Sequence, residues 1–151
     1  MVEIKLIKKV KKSELVDINN LISQMSLTST SPKPMTMAVC QEMLSQKNLF
    51  FLVAVGKIDG QQKIIGILSI YFIRIPTGLV AWSEDLVIDT AYRGWGLGRL
   101  LMEASIKLAY KKRSRHLNLR TNPQRIEANK LYQLLGFKRL NSNFYRINMF
   151  K

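Results

Sequence analysis

The sequence predicts a mixed α/β fold: a mostly antiparallel, twisted sheet of six to seven strands flanked by about four helices. Three observations carry the prediction. Two β-branched and aromatic runs, residues 48–58 and 63–75, meet across the hairpin turn signal Asp59-Gly60. Apolar residues recur at helical spacing from Leu97 onward. The elements alternate in the order β-α-α-β-β-β-α-β-α-β-β, and 151 residues that are 47% hydrophobic suffice for the core of one domain, 1–151.

The first strand is expected in "EIKLIKK". Ser13 is placed to cap a helix over 14–25, and Thr36 to cap another reaching about residue 46. Between them, "SLTSTSPKPMT" (26–36) reads as a surface loop. The two runs around Asp59-Gly60 and a third, "LVAWSEDLVID", make an antiparallel meander. Leu97, Leu100, Leu101, Ala104 and Leu108 then form the sheet-facing stripe of a helix ending near Arg113. "HLNLRT" is a short strand, and Ala128, Leu131, Tyr132 and Leu135 mark a last helix stopped by Gly136. "FKRL" and "FYRINMF" are expected to close the chain as paired strands.

Composition narrows the function classes. The N-terminus is too charged for a signal peptide, and the longest apolar run, "IIGILSIYFI", is far short of the roughly 20 residues of a membrane helix. A cytoplasmic protein with no membrane partner is expected. Cys40 is the only cysteine and His116 the only histidine, which argues against a disulfide and against a metal site. The net charge of +14 is concentrated in residues 93–151, from Arg93 onward. The run "KKRSR" reads as a solvated helix end, its cations at the negative pole of the helix dipole.

"YRGWGLGRLL" (92–101) is the most informative stretch. Glycine-rich backbone between a strand and a helix start is an anion site: unpaired amides point outward and absent side chains let a phosphate approach. Arg93 and Arg99 add positive charge. Two common phosphate loops do not fit, since a Rossmann fingerprint needs glycine where Arg99 stands and a Walker loop needs Gly-Lys-Ser/Thr.

Downstream comes "EANKLYQLLGF". Arg93-x-x-Gly96-x-Gly98 after a strand, followed by Ala128-x-x-Leu131-Tyr132-x-x-x-Gly136-Phe137, resembles the GNAT superfamily of acyl-CoA N-acyltransferases, and the element order agrees along nearly the whole chain. The resemblance implies acetyl-CoA as co-substrate. It implies that the amides of Gly94, Trp95, Gly96, Leu97, Gly98 and Arg99 hold its pyrophosphate, and that Leu86, Val87 and Ile88 pair with the pantetheine arm like another strand. Where many relatives carry Asn, this chain has Arg125, which could reach a phosphate instead.

Acetyl transfer needs a way to remove a proton from the attacking amine and a donor near the leaving sulfur. The resemblance assigns the donor to Tyr132. Strand amides near Leu86–Ile88 could polarise the acetyl carbonyl if a bulge frees them. Adjacent Glu84 and Asp85 are candidates to bind an ammonium group and take its proton; the other readings are an ion pair with a neighbouring Arg or a plain exposed acidic pair. In an unbulged strand the two would face opposite sides, so only one could serve the acceptor.

The Glu-Asp pair ahead of the loop is similar to polyamine and glucosamine-6-phosphate acetyltransferases. This points to transfer by direct attack of a small primary amine in a ternary complex. Open alternatives are a protein lysine or N-terminal acceptor, a non-catalytic acyl-CoA-binding module, or a nucleic-acid-associated module. A nucleic-acid partner is not expected, since helix-turn-helix, zinc and RNP-type motifs are missing and the basic excess overlaps the proposed CoA face. The apolar "FYRINMF" could serve a homodimer by strand pairing.

Overall fold

The computed structural model describes residues 1–25 and 33–150, and the chain divides into two compact units, Met1–Arg120 and Thr121–Lys151. Most of the expected 26–36 loop lies outside the described residues.

The first unit holds β1 (Val2–Ile7), α1 (Lys12–Ser23), α2 (Met37–Ser45), β2 (Leu49–Ile58), β3 (Gln61–Ile75), β4 (Gly78–Ile88), α3 (Leu97–Lys111) and β5 (His116–Leu119). They build a five-stranded sheet in the order β1-β2-β3-β4-β5, with β4 and β5 parallel and the other neighbours antiparallel. The β2–β3 hairpin turns on Asp59 (φ 49°) and Gly60 (φ 79°), the two positive φ values that a tight two-residue hairpin of primed type demands.

Both faces of the sheet are covered. α1 and α2 bury Ile18, Leu21, Cys40 and Leu44 against Phe51, Val53, Ile64, Ile67 and Val87. On α3 the residues sealed from solvent are Leu97, Leu101, Met102, Ser105 and Ala109. The stripe is therefore turned by about a residue from the expected one: Leu100 is 42% exposed, while Met102 is fully buried. The helix has two overlapping apolar stripes, and the sheet takes the one on which Ser105 is tolerable because its Oγ donates to Met102 O at 2.8 Å.

The α2 start is as expected, with the Thr36 side chain accepting from Val39 N. Ser13 does not cap α1. That helix begins at Lys12, and the Glu14 carboxylate reaches back to accept from Lys11 N at 2.7 Å. A carboxylate at that position satisfies an orphan amide and complements the helix dipole, which a serine one residue inside the helix does not.

The second unit holds α4 (Ile126–Leu134). Gly136 (φ 89°) ends it: Gly136 N donates to Gln133 O and Phe137 N to Tyr132 O, both at 3.0 Å, a Schellman pair of bonds. The strands expected at 137–140 and 144–150 do not form, which is why the sheet has five strands instead of six to seven. A strand needs a ladder partner for its backbone groups, and none of the described strands supplies one; Phe144, Tyr145, Ile147 and Phe150 are exposed.

Candidate active site

The acidic pair sits at an irregularity of β4. Ser69 is opposite Glu84 and Ile67 opposite Val87, so Asp85 and Leu86 together face the single residue Leu68. Asp85 is the extra residue of this β-bulge and takes φ 57°, a left-handed conformation that Asp tolerates better than most residues. The other edge of β4 also changes here. β5 pairs with β4 only from Val80 to Ser83, and from Glu84 to Ile88 no strand among the described residues lies along that edge. Leu86, Val87 and Ile88 therefore present a short stretch of open strand edge, met at its end by Arg93 Nε, which donates to Ile88 O at 3.2 Å.

The two carboxylates are in different circumstances. Glu84 Oε1 accepts from Arg120 Nη2 at 2.8 Å, and the Arg120 guanidinium lies 5.8 Å from the Trp82 ring centroid. Asp85 has no such cation among the described residues. Although the residue as a whole is exposed, protein packed around its carboxyl raises its pKa by desolvation, and the charge of Glu84 raises it further. Tyr71, opposite Trp82 on β3, has its phenol pKa raised in the same order, by burial and then by Glu84, with Arg120 opposing.

Beyond β4 the chain turns through a short 3-10 segment, Thr90–Tyr92, whose start is fixed by the Asp89 side chain accepting from Ala91 N. Gly94 (φ 81°) and Gly96 (φ 77°) follow, both left-handed, and Gly96 is the N-cap of α3. Because glycine has no side chain, α3 has no side-chain cap, and its first-turn amides, Leu97, Gly98 and Arg99, point away from the helix without an intrahelical acceptor. A Cβ built on Gly94 or Gly96 would meet nothing within 4 Å, so the space before these amides is open. Trp95 is exposed at the tip and packs edge-on against Tyr92, ring centroids 5.6 Å apart. Arg99 pairs with Glu103 at 2.8 Å.

In the second unit, Tyr132 is fixed by the end of its own helix, since its carbonyl accepts from Phe137 N and its ring packs edge-on to Phe137 at 6.0 Å. Burial raises the phenol pKa and Arg125 opposes the shift, so the hydroxyl stays a proton donor across neutral pH. Arg125 is the N-cap residue of α4, its carbonyl accepting from Asn129 N and Asn129 Nδ2.

A bulged strand, an uncapped helix start behind left-handed glycines, and a later helix carrying a half-buried tyrosine set a specific comparison, and the family described as "Acetyltransferase (GNAT) family" matches residues 15–137. The chain belongs to the GNAT acetyltransferase family. A comparison with curated protein sequences finds no match. Among solved structures, this GNAT chain is similar to a Trypanosoma brucei acetyltransferase, with 22% identity over 99% of this chain and 100% of the other, TM-score 0.78. It is similar to a ribosomal-protein-alanine N-acetyltransferase from Brucella melitensis, with 18% identity over 100% and 99%, TM-score 0.79. It is also similar to the aminoglycoside N-acetyltransferase AAC(6')-Iy in complex with CoA, with 19% identity over 99% and 95%, TM-score 0.75. At these identities the likeness is one of fold.

Within the first unit of the GNAT chain, the fold brings together β4's acidic pair, the open edge of Leu86–Ile88 and the glycine loop, which follow one another along the chain. It also brings in three residues that sequence reasoning leaves unnamed: Arg120, Trp82 and Tyr71. A neighbouring arginine is among the readings of the acidic pair, and the signal for Arg120 is the strand "HLNLRT", whose parallel pairing to β4 carries it to Glu84. No helix among the described residues is long and apolar enough to cross a membrane.

Proposed function

We propose that the protein is a cytoplasmic acetyltransferase, residues 1–151 acting as one domain, that moves the acetyl group of acetyl-CoA to a small primary amine by direct attack in a ternary complex. The observation that carries this reading is the uncapped start of α3 behind Gly94 and Gly96, open in front and continuous with a bulged strand edge. These residues fit the co-substrate. The amides of residues 94–99 suit its pyrophosphate, with Arg93, Arg99 and Arg125 adding positive charge, and the backbone of Leu86, Val87 and Ile88 suits the amide groups of its arm. Acetyl-CoA supplies an activated thioester carbonyl.

The protein's own groups do the rest. A donor on the bulged edge polarises the carbonyl without reorganising, because the ladder already holds it in place. Asp85 takes the ammonium proton; a carboxylate whose pKa is raised is the better base near neutrality. Glu84, held by Arg120, keeps that pKa up by its charge. Tyr132, kept neutral by burial, is the donor for the departing sulfur.

The test is acetyl-CoA-dependent release of free thiol over spermidine, glucosamine 6-phosphate, aminoglycosides, amino acids and basic peptides. Turnover with a small amine supports the reading. Turnover with peptides alone replaces the small acceptor by a protein one, an acceptor class to which the Brucella neighbour's name refers. CoA binding without turnover on any acceptor removes the catalytic reading.

A further inference from the structure

At the end of the sheet remote from the glycine loop, the start of β2, the end of β3 and the end of α3 surround an open depression of about 680 Å³. α3 has 15 residues, so its two ends are about 21 Å apart at 1.5 Å per residue. Lys47, Arg74 and Lys112 line the depression with Phe50 and Phe72, and among the described residues no Asp or Glu does. Lys8, just past β1, reaches the same place, with Nζ donating to Leu49 O at 3.0 Å and lying 4.6 Å from the Phe50 ring centroid.

Lys112 Nζ is 4.5 Å from the Phe50 centroid and 5.5 Å from that of Phe72. Two ammonium groups on one ring are therefore separated by no more than about 9 Å, roughly a Debye length in physiological salt, and repel each other. All four cations are exposed, and none takes part in an ion pair among the described residues. The two phenyl rings, packed edge-on at 5.5 Å, hold the cations at this place, and the attraction of each ring for an exposed ammonium is weak, about 0.5–1 kcal/mol. Convergent cations with no counter-charge of their own are arranged for an external anion.

We propose that this depression binds single-stranded nucleic acid, with phosphates on Lys8, Lys47, Arg74 and Lys112 and a base against the apolar lining. A ligand here must bring negative charge and a flat apolar body together. A nucleotide does both, and a single strand can place its base in a depression that a duplex or a membrane surface cannot enter. Acidic peptide side chains bring charge without the apolar body. Of these four cations only Lys112 belongs to the basic stretch that begins at Arg93; Lys8, Lys47 and Arg74 precede it in the sequence, and the fold gathers all four at the end of the sheet opposite the glycine loop.

The experiment is fluorescence anisotropy of labelled 12-residue oligo-U RNA and oligo-dT DNA with the full chain over a salt series. The expected result is binding that weakens with salt, and a Lys47→Gln/Arg74→Gln variant whose slope of log K against log salt is shallower by about 1.4, at about 0.7 for each phosphate no longer neutralised. A Lys57→Gln/Lys63→Gln variant removes the same charge from the exposed β2–β3 hairpin region and is expected to bind as the wild type does. Melting temperatures should be unchanged in both variants, since all four side chains are exposed, and thiol release should be unchanged in Lys47→Gln/Arg74→Gln, whose residues lie at the end of the sheet remote from the glycine loop. Equal weakening in the two variants would show an effect of net charge alone and overturn the site. Competition by poly-glutamate as effective as by unlabelled oligonucleotide, equal affinity for duplex, or no binding at low salt would each overturn the nucleic-acid assignment.

Discussion

Gly96→Ala separates the two reasons for a glycine at the N-cap of α3. The first is conformational: at φ 77° any other residue is strained, at about 1–2 kcal/mol. The second is spatial, a bare backbone before unpaired amides. In the free protein a Cβ at this position meets nothing within 4 Å, so the substitution costs only the strain. For a chain of this size that is a fall in melting temperature of about 2–8 °C. CoA affinity should suffer separately. Losing one charge-assisted hydrogen bond of about 1.5–3 kcal/mol weakens Kd roughly 10- to 150-fold. Gly60→Ala is the matched control, because Gly60 has φ 79°, also has nothing within 4 Å, and sits in the β2–β3 turn. Calorimetric titration with CoA and a thermal melt of both variants decide the matter. Equal destabilisation with weakened CoA binding only in Gly96→Ala is the expected pair of results, and Gly96→Val should be more severe. Unchanged CoA affinity in Gly96→Ala would mean that the glycine serves the turn alone, and the phosphate-loop assignment would be wrong.

Tyr132→Phe keeps the edge-on packing with Phe137 and removes only the hydroxyl, so kcat should fall by about 10²–10⁴ with CoA affinity nearly unchanged; equal turnover would end the donor role. Glu84→Gln removes one of the two causes that raise the Asp85 pKa. The base must be ionised to act, so a lowered pKa moves the acidic limb of the pH profile of kcat/KM to lower pH; an unmoved limb would exclude Asp85 as the titrating base. Asp85 also has a stability signature. Its folded pKa is raised, so the folded chain binds protons more readily than the unfolded one, and stability falls as pH rises from the unfolded value through the folded one. Urea titrations should show Asp85→Asn flattening that fall, and an identical pH dependence in wild type and variant would contradict the desolvated carboxyl. Arg113, at φ 57°, ends α3 with Arg113 N on Tyr110 O and Ser114 N on Ala109 O. Arg113→Gly should therefore stabilise by about 0.5–1 kcal/mol, the left-handed strain relieved less the entropy of the added glycine, and a loss of stability by denaturant titration would refute this.

What could be read in the sequence was local. Asp59-Gly60, Thr36 and Gly136 each act within a few residues of themselves, and each does in the structure what its chemistry predicts. The glycine loop belongs with them, because its left-handed positions and its helix start are neighbours along the chain. The features that were not legible depend on what lies across a strand or a helix. A left-handed bulge residue is usually glycine, so an aspartate gave no sign that β4 would take two residues against Leu68. The C-terminal run has strand composition, yet composition cannot provide the neighbouring ladder that makes a strand. Glu84 and Arg120 are 36 residues apart, and it is the parallel pairing of β4 with β5 that makes them partners. The same pairing gives the candidate site its asymmetry. With an unbulged strand and no arginine, Glu84 and Asp85 would be equivalent acids on opposite faces. With both, one carboxylate is held as a fixed charge by a cation, while desolvation and then that neighbouring charge make the other the more basic. The division between a fixed charge and a proton acceptor thus arises from sheet geometry acting on two adjacent and chemically similar side chains.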